Sequence, residues 1–184
     1  MAKVIQKPGT VLYPIPAVLV SCGTGERANI ITLAWVGTLC SEPPLVGIGV
    51  RPSRHSHGLI QEVGEFVVNL PSADQVKKLD YCGIVSGRDE DKWAACGFTP
   101  MPASQVQVPV IAECPVSIEC RLHQTLSLGS HDLFIGEVVA VQVDEAVLDG
   151  RGHLDVAKAS PFAYLNGEYR QVGEQLGTFG FSKK

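Results

Sequence analysis

Val116-Ser-Ile-Glu-Cys-Arg-Leu122 alternates apolar and polar side chains one for one. Successive side chains of an extended strand point to opposite faces, so a period of two predicts a strand with one buried and one wet face. Phe134 to Val143 is a second, longer β-prone run with Gly136 inside it. A glycine at such a place predicts a bulge or the close approach of another group. Gly129-Ser-His-Asp132 lies between the two runs, which are therefore expected to pair as a hairpin.

Upstream, Pro16 to Cys22, Asn29 to Trp35, Leu45 to Val50 and Glu65 to Leu70 are further apolar, β-prone runs, bounded by Gly23-Thr-Gly25, Ser41-Glu-Pro-Pro44 and Pro71. Three short helices interrupt them. Ser53 to Val63 places Leu59, Ile60 and Val63 on one face and stops at Gly64. Ser72-Ala-Asp-Gln75 has the spacing of a capping box, with Val76 and Leu79 turned inward. Asp89 is positioned to cap a helix through Trp93 that ends at Gly97. Many strands and few, short helices predict a mainly β fold: a closed antiparallel β-barrel with a few short peripheral helices, in a single domain over residues 1–184. The aromatic and glycine-rich stretch from Pro161 to Phe181 is expected to pack over a surface or a partner subunit.

Composition narrows the function classes. Hydrophobic residues make up 45%, enough for a packed core, while charged residues make up only 18%, which favours a surface partly buried between subunits. With a net charge of −4 and no basic stripe, nucleic acid is not an expected partner. The apolar runs are broken well short of a membrane span and the first residues lack a signal-peptide core, so a cytoplasmic protein is expected. The six cysteines form no C-x-x-C pair, and they read as free, mostly buried thiols with no metal site.

Three segments carry candidate chemistry. Arg51-Pro-Ser-Arg-His-Ser56 spans the end of a strand and the start of a helix, where unpaired N–H groups and a partial positive charge meet two arginines and two serines. That donor set suits a phosphate monoester. No P-loop or G-x-G-x-x-G occurs. Ile31 to Ser41 combines Thr32 and Trp35 with the small residues Ala34 and Gly37, and can offer apolar walls and backbone hydrogen bonds to a flat aromatic ligand. Core filling by Trp35 explains that segment equally well. His131 lies on the glycine-flanked hairpin; a lone histidine there is more often a surface or capping residue. Cys40 has no neighbouring base and does not read as a nucleophile.

Taken together, Ala28-Asn-Ile-Ile-Thr-Leu-Ala-Trp35, Cys40-Ser-Glu-Pro-Pro44, Arg51-Pro-Ser-Arg-His-Ser56, Asn69-Leu-Pro71, Gly129-Ser-His-Asp-Leu-Phe-Ile-Gly-Glu-Val138 and Tyr164-Leu-Asn-Gly-Glu-Tyr169 resemble, in order and spacing, the flavin reductase-like family, flavoredoxins above all. The resemblance implies the FMN-binding split-barrel fold and a redox role for a non-covalently held FMN. It implies that Thr32, Leu33, Ala34 and Trp35 line the isoalloxazine with help from Cys40 and Ser41. Arg51, Pro52, Ser53, Arg54 and Ser56 would receive the phosphate, and Asn69 is a further cofactor-binding position. His131 would lie near the flavin face as the catalytic position. Family members commonly show Gly-Asp-His at the hairpin; Ser130 replaces the aspartate here and points away from efficient pyridine-nucleotide use. A homodimer is implied, with NAD(P)H or a redox partner protein as the electron source. An electron-carrying oxidoreductase, an NAD(P)H-dependent flavin or ferric reductase, and a non-catalytic flavin-binding barrel all fit the sequence.

Overall fold

The computed structural model describes residues 1–183. Strands β1 (Ile15–Pro16), β2 (Val18–Cys22), β3 (Asn29–Leu33), β4 (Val36–Ser41) and β5 (Pro44–Val50) lead into helix α1 (His55–Val63) and strand β6 (Glu65–Leu70). Helices α2 (Val76–Ile84) and α3 (Lys92–Cys96) follow, then the short strands β7 (Pro100–Met101) and β8 (Val110–Ile111). The hairpin β9 (Val116–Ser127) and β10 (Asp132–Val143) comes next, and α4 (Val156–Ala159), β11 (Phe162–Leu165) and β12 (Glu168–Gln171) complete the regular structure. The expected hairpin is thus present and longer than its alternating core, and β6 spans the expected residues.

The main sheet runs β3-β2-β6-β9-β10-β5-β4, antiparallel throughout. It is an open, curled sheet, not the closed barrel that the strand count predicts. β3 and β4 are consecutive in the chain yet form opposite edges, and they share no ladder. The cause is local. Ala34 and Trp35 make a bend after β3, and the chain re-enters the sheet by pairing with the outer side of β5 rather than with β3. One backbone bond, from Gly49 N–H to the Trp35 carbonyl at 2.7 Å, spans the join. The β9–β10 ladder shifts register twice, with His123 of β9 unpaired at Ile135/Gly136 and Val139 of β10 unpaired at Val138/Ala140, and such bulges bend the sheet. At the first, Gly136 has Phe66 where a side chain would be, the close approach expected of it.

Leu59 and Ile60 of α1 close the concave face over Val20, Ile48, Phe66 and Phe134. On the other face α2 and α3 bring Leu79, Cys82, Trp93 and Cys96 against Leu19, Ile30 and Phe162. Part of the aromatic C-terminal stretch joins the fold, since β11 pairs with β1 and β12 in a three-stranded sheet, while residues 172–183 lie exposed. Two local expectations are corrected. Asp91, not Asp89, caps α3, its Oδ1 accepting from Trp93 N and Ala94 N, because Asp89 is spent in a turn on the Ser86 carbonyl. The face of β9 expected to be wet is dry at Ser117 and Glu119. A loop covers it there: Glu119 accepts from Ser104 N and Oγ, Gln105 N and Gln142 Nε2 at 2.6–2.9 Å.

Candidate functional site

The β5–α1 junction builds a donor-rich pocket. Arg54 is the N-cap of α1 in extended conformation, and it lines the pocket, where its guanidinium can donate to an anion. Ser53, Arg54, His55 and Ser56 line a cavity of about 170 Å3 together with Ser86, Gly87, Arg88 and Lys92. Asn29 Nδ2 donates to Ser56 Oγ at 2.8 Å, and Arg88 Nη1 donates to the Ser53 carbonyl at 3.2 Å. These bonds hold the loop in register with the edge strand β3 and the α2–α3 connection.

Lys92 is the residue that sequence reasoning missed. It is 3% exposed, and its Nζ donates to the Ile30 and Cys82 carbonyls, each at 2.8 Å. An ammonium has three protons, so one remains for the cavity that Lys92 lines. Burial, reinforced by Arg54, holds this ammonium below the usual lysine range; an anion in the cavity would offset that desolvation. The available signal was its place four residues before the buried Cys96 on α3, hence on the same inward face.

A second cavity of about 180 Å3 adjoins the first through Ile31, Arg54 and Gly83. Its walls are Thr32, Leu33, Ala34 and Trp35 on one side and Gly49, Arg51 and His131 on the other. Glycines keep it clear: a Cβ on Gly83 would meet Thr32 at 3.2 Å, and one on Gly49 would meet Trp35 at 3.1 Å. The Thr32 hydroxyl donates to the Leu79 carbonyl, which ties this wall to α2. Beyond Trp35 the trough widens into an apolar cleft of about 670 Å3, lined by Val11, Leu12, Leu39, Leu128 and Leu133 with Ser130 and His131 at its polar edge. Trp35, 39% exposed, lines both spaces.

His131 sits half-buried at that junction, and burial together with the Arg51 charge lowers its pKa, so the imidazole is neutral at pH 7. Its Nδ1 lies 2.9 Å from Ser130 Oγ. The next residue, Asp132, is buried: it accepts from Ser127 Oγ at 2.6 Å and lies 2.8 Å from His57 Nε2 on α1. The Ser127 hydrogen bond, then that of His57, holds its carboxyl below the usual carboxylate range. This cluster, also unforeseen, fastens the hairpin that carries His131 to the helix that carries the donor pocket.

Not every expected residue reaches the trough. Cys40 and Ser41 sit at the far end of β4, beside the turn into β5, and line none of the three spaces. Pro52 is exposed in the turn and lines none either. Asn69 is fully buried and committed to the fold: it donates to the Leu19 and Val67 carbonyls and Ser21 Oγ, and accepts from Ile111 N and Ser117 Oγ. Thr32, Leu33, Ala34, Trp35, Arg51, Ser53, Arg54, Ser56 and His131 are brought together. Among the described residues no group of three His, Cys, Asp or Glu side chains could hold a metal. Burial pushes the Cys22, Cys82, Cys114 and Cys120 thiols up to about 12, which keeps them protonated.

A donor-rich pocket thus opens into a slot beside the Trp35 indole. The chain belongs to the flavin reductase-like family: residues 10–173 match the model of the flavin reductase like domain. Its fold superimposes on the flavoredoxin of Desulfovibrio vulgaris (Miyazaki F) with a TM-score of 0.92 and 36% identity, each chain covered over 100%. For a flavoredoxin of Methanosarcina acetivorans the TM-score is 0.91 with 33% identity, over 100% of this chain and 98% of the other. For an FMN-binding protein of Thermus thermophilus, solved with 1-cyclohex-2-enone bound, the TM-score is 0.81 with 28% identity, over 97% and 99%. This chain is thus a flavoredoxin-like member of an oxidoreductase family. No helix among the described residues is long and apolar enough to cross a membrane.

Proposed function

We propose that the chain is a flavoredoxin-like electron carrier that holds one FMN per subunit in this trough. The observation that carries the reading is the buried Lys92, with one unspent proton at the floor of a pocket that Arg54, Ser53, Ser56 and Arg88 also line. A buried cation needs an anionic partner, and a phosphate monoester matches the size and donor set. Bound there, FMN supplies two-electron and one-electron chemistry of its own. The protein's part is to hold and tune it. Arg54, Ser53, Ser56, Arg88 and Lys92 grip the phosphate. Thr32 to Trp35 flank the ring, and Gly49 and Gly83 leave it room. Cys40, Ser41, Pro52 and Asn69 have no contact role in this arrangement.

The carrier reading, over a pyridine-nucleotide reductase, is supported by the outer cleft. Neither Lys nor Arg is among the residues lining it, so a dinucleotide lying there would find no cation for its diphosphate. Among the described residues lining that face His131 is the one titratable group, available to orient or protonate whatever approaches. A cytoplasmic homodimer of single-domain subunits completes the reading. The low charge supports it, as do the exposed apolar residues Val11, Leu12, Leu176 and Phe179 in the two terminal arms.

Substitution at the pocket tests this. Arg54→Ala and Lys92→Met should each weaken FMN binding about 10-fold or more, since charge-assisted hydrogen bonds contribute roughly 1.5–3 kcal/mol. Riboflavin affinity should move far less, and the circular dichroism of Arg54→Ala should match wild type. Native FMN affinity in both variants would place the phosphate elsewhere.

A further inference from the structure

The two arginines of the Arg51–Ser56 segment do not face the same space. Arg54 lines the donor pocket and the slot; Arg51 lines the slot alone, beside Trp35, Gly49 and His131. Sheet register explains the difference. Val50, the last residue of β5, pairs with Asp132, the first of β10. One step further along each strand brings Arg51 opposite His131. The Arg51 guanidinium is solvent-exposed, and among the described residues it forms no ion pair. The nearest carboxylate in that register, Asp132, is turned to Ser127 and His57. An uncompensated positive charge therefore stands at the wall of the slot, at the far end from Lys92.

We infer that Arg51 is the electrostatic partner of the redox-active ring, not of its phosphate: its charge favours the reduced form of the bound cofactor. The inference rests on the FMN reading of the slot. Reduction adds negative charge to the ring, and a cation lining the same slot would lower the energy of the charged form over the neutral one. Because the guanidinium is exposed, water and salt screen it, so the effect should be modest and should shrink as ionic strength rises. His131 registers the same charge, since Arg51 adds to burial in keeping its imidazole neutral. Arg54 and Lys92, at the pocket end, are too occupied with the phosphate to substitute for it.

The test uses the full-length, FMN-loaded protein with Arg51→Gln, Arg51→Lys and Arg54→Gln. Two quantities are measured for each at low salt: the ratio of FMN to riboflavin affinity, from flavin fluorescence quenching, and the two-electron midpoint potential, from a spectroelectrochemical titration. Arg51→Gln should lose about tenfold in preference for reduced over oxidised FMN, read as a potential about 30 mV lower. Its FMN-to-riboflavin ratio should stay within about threefold of wild type. Arg51→Lys, which keeps the charge, should recover most of the potential. Arg54→Gln should do the reverse, with a collapsed affinity ratio and a smaller potential shift. An unchanged potential in Arg51→Gln overturns the inference, as does a loss of FMN-over-riboflavin preference matching that of Arg54→Gln. A wild-type chain that binds no flavin fails earlier and differently: it removes the reading of the slot itself, and the role of Arg51 with it.

Discussion

His131 shows what one residue gains from its surroundings. Burial and Arg51 lower its pKa, so the folded protein resists protonating it. Titrated by NMR through its imidazole protons, it should show a value below the ordinary 6.5, and Arg51→Gln should move that value upward. The sign for stability follows. The unfolded chain takes up the proton first, so His131 disfavours the folded state increasingly as pH falls from its unfolded value through its folded one. In electron transfer the residue separates two activities. If the protein is a carrier, NADH and NADPH should bleach the flavin slowly without oxygen, and His131→Ala should change little. Rapid bleaching by NADPH that falls about 10-fold in His131→Ala, roughly 1.4 kcal/mol of lost transition-state stabilisation, would make it a reductase. At this scale the sequence was unevenly informative. His131 was legible because glycine and a hairpin framed it. Lys92 was not, because a lysine's burial is decided by carbonyls from β3 and α2 that lie 62 and 10 residues away. Asn69 shows the converse: its polar atoms are consumed by strands that only the fold brings to it.

Among the elements, the β9–β10 hairpin is the one whose pattern could be read directly, and its details follow from packing. Gly136 sits at a register shift, and a Cβ there would meet Phe66 Cζ at 2.5 Å and Cys120 Cβ at 2.8 Å. Gly136→Ala should therefore lower the urea midpoint, with a loss of about 1–3 kcal/mol from overpacking. Glu119 broke the expected alternation because the Ser104–Gln105 loop supplies the hydrogen bonds that water would otherwise give. Burial opposes ionisation of that carboxyl, but bonds from Gln142, Gln105 and Ser104 outweigh it and its pKa is lowered. A depressed carboxylate stabilises the fold above its unfolded pKa, and that contribution is lost as pH falls through the folded value. Glu119→Gln should therefore flatten the acid limb of the stability profile while lowering stability at pH 7. The β3–β4 connection was the least legible element. From Ile31 to Val36 only Thr32 interrupts the apolar residues, and no turn residue marks a stop, yet Ala34 and Trp35 bend, and β4 leaves for β5. No local pattern distinguishes a strand that continues from one that changes partner.

For the whole molecule, that change of partner matters most. A closed ladder between β3 and β4 would leave no slot, whereas the open sheet places Trp35, Gly49, Arg51 and His131 around one. Strand content was readable from the chain; openness was not, because it depends on which edges meet. The terminal arms belong to this scale too. Val4, Ile5, Val11 and Leu12 at one end and Leu176, Phe179 and Phe181 at the other are exposed, and the proposed homodimer would cover them. Sedimentation at micromolar concentration should show a dimer, and a chain ending at Gly173 should shift toward monomer; a full-length monomer that retains flavin would refute the homodimer. The central claim is that the trough grips FMN by both ring and phosphate, and a flavin titration tests it most directly. Purified protein freed of flavin is titrated with FMN and, separately, with riboflavin, following flavin fluorescence and the visible spectrum. Saturation at one FMN per chain is expected, with riboflavin bound more weakly by about 10-fold or more. Equal affinity for the two, or no binding of either, would contradict it.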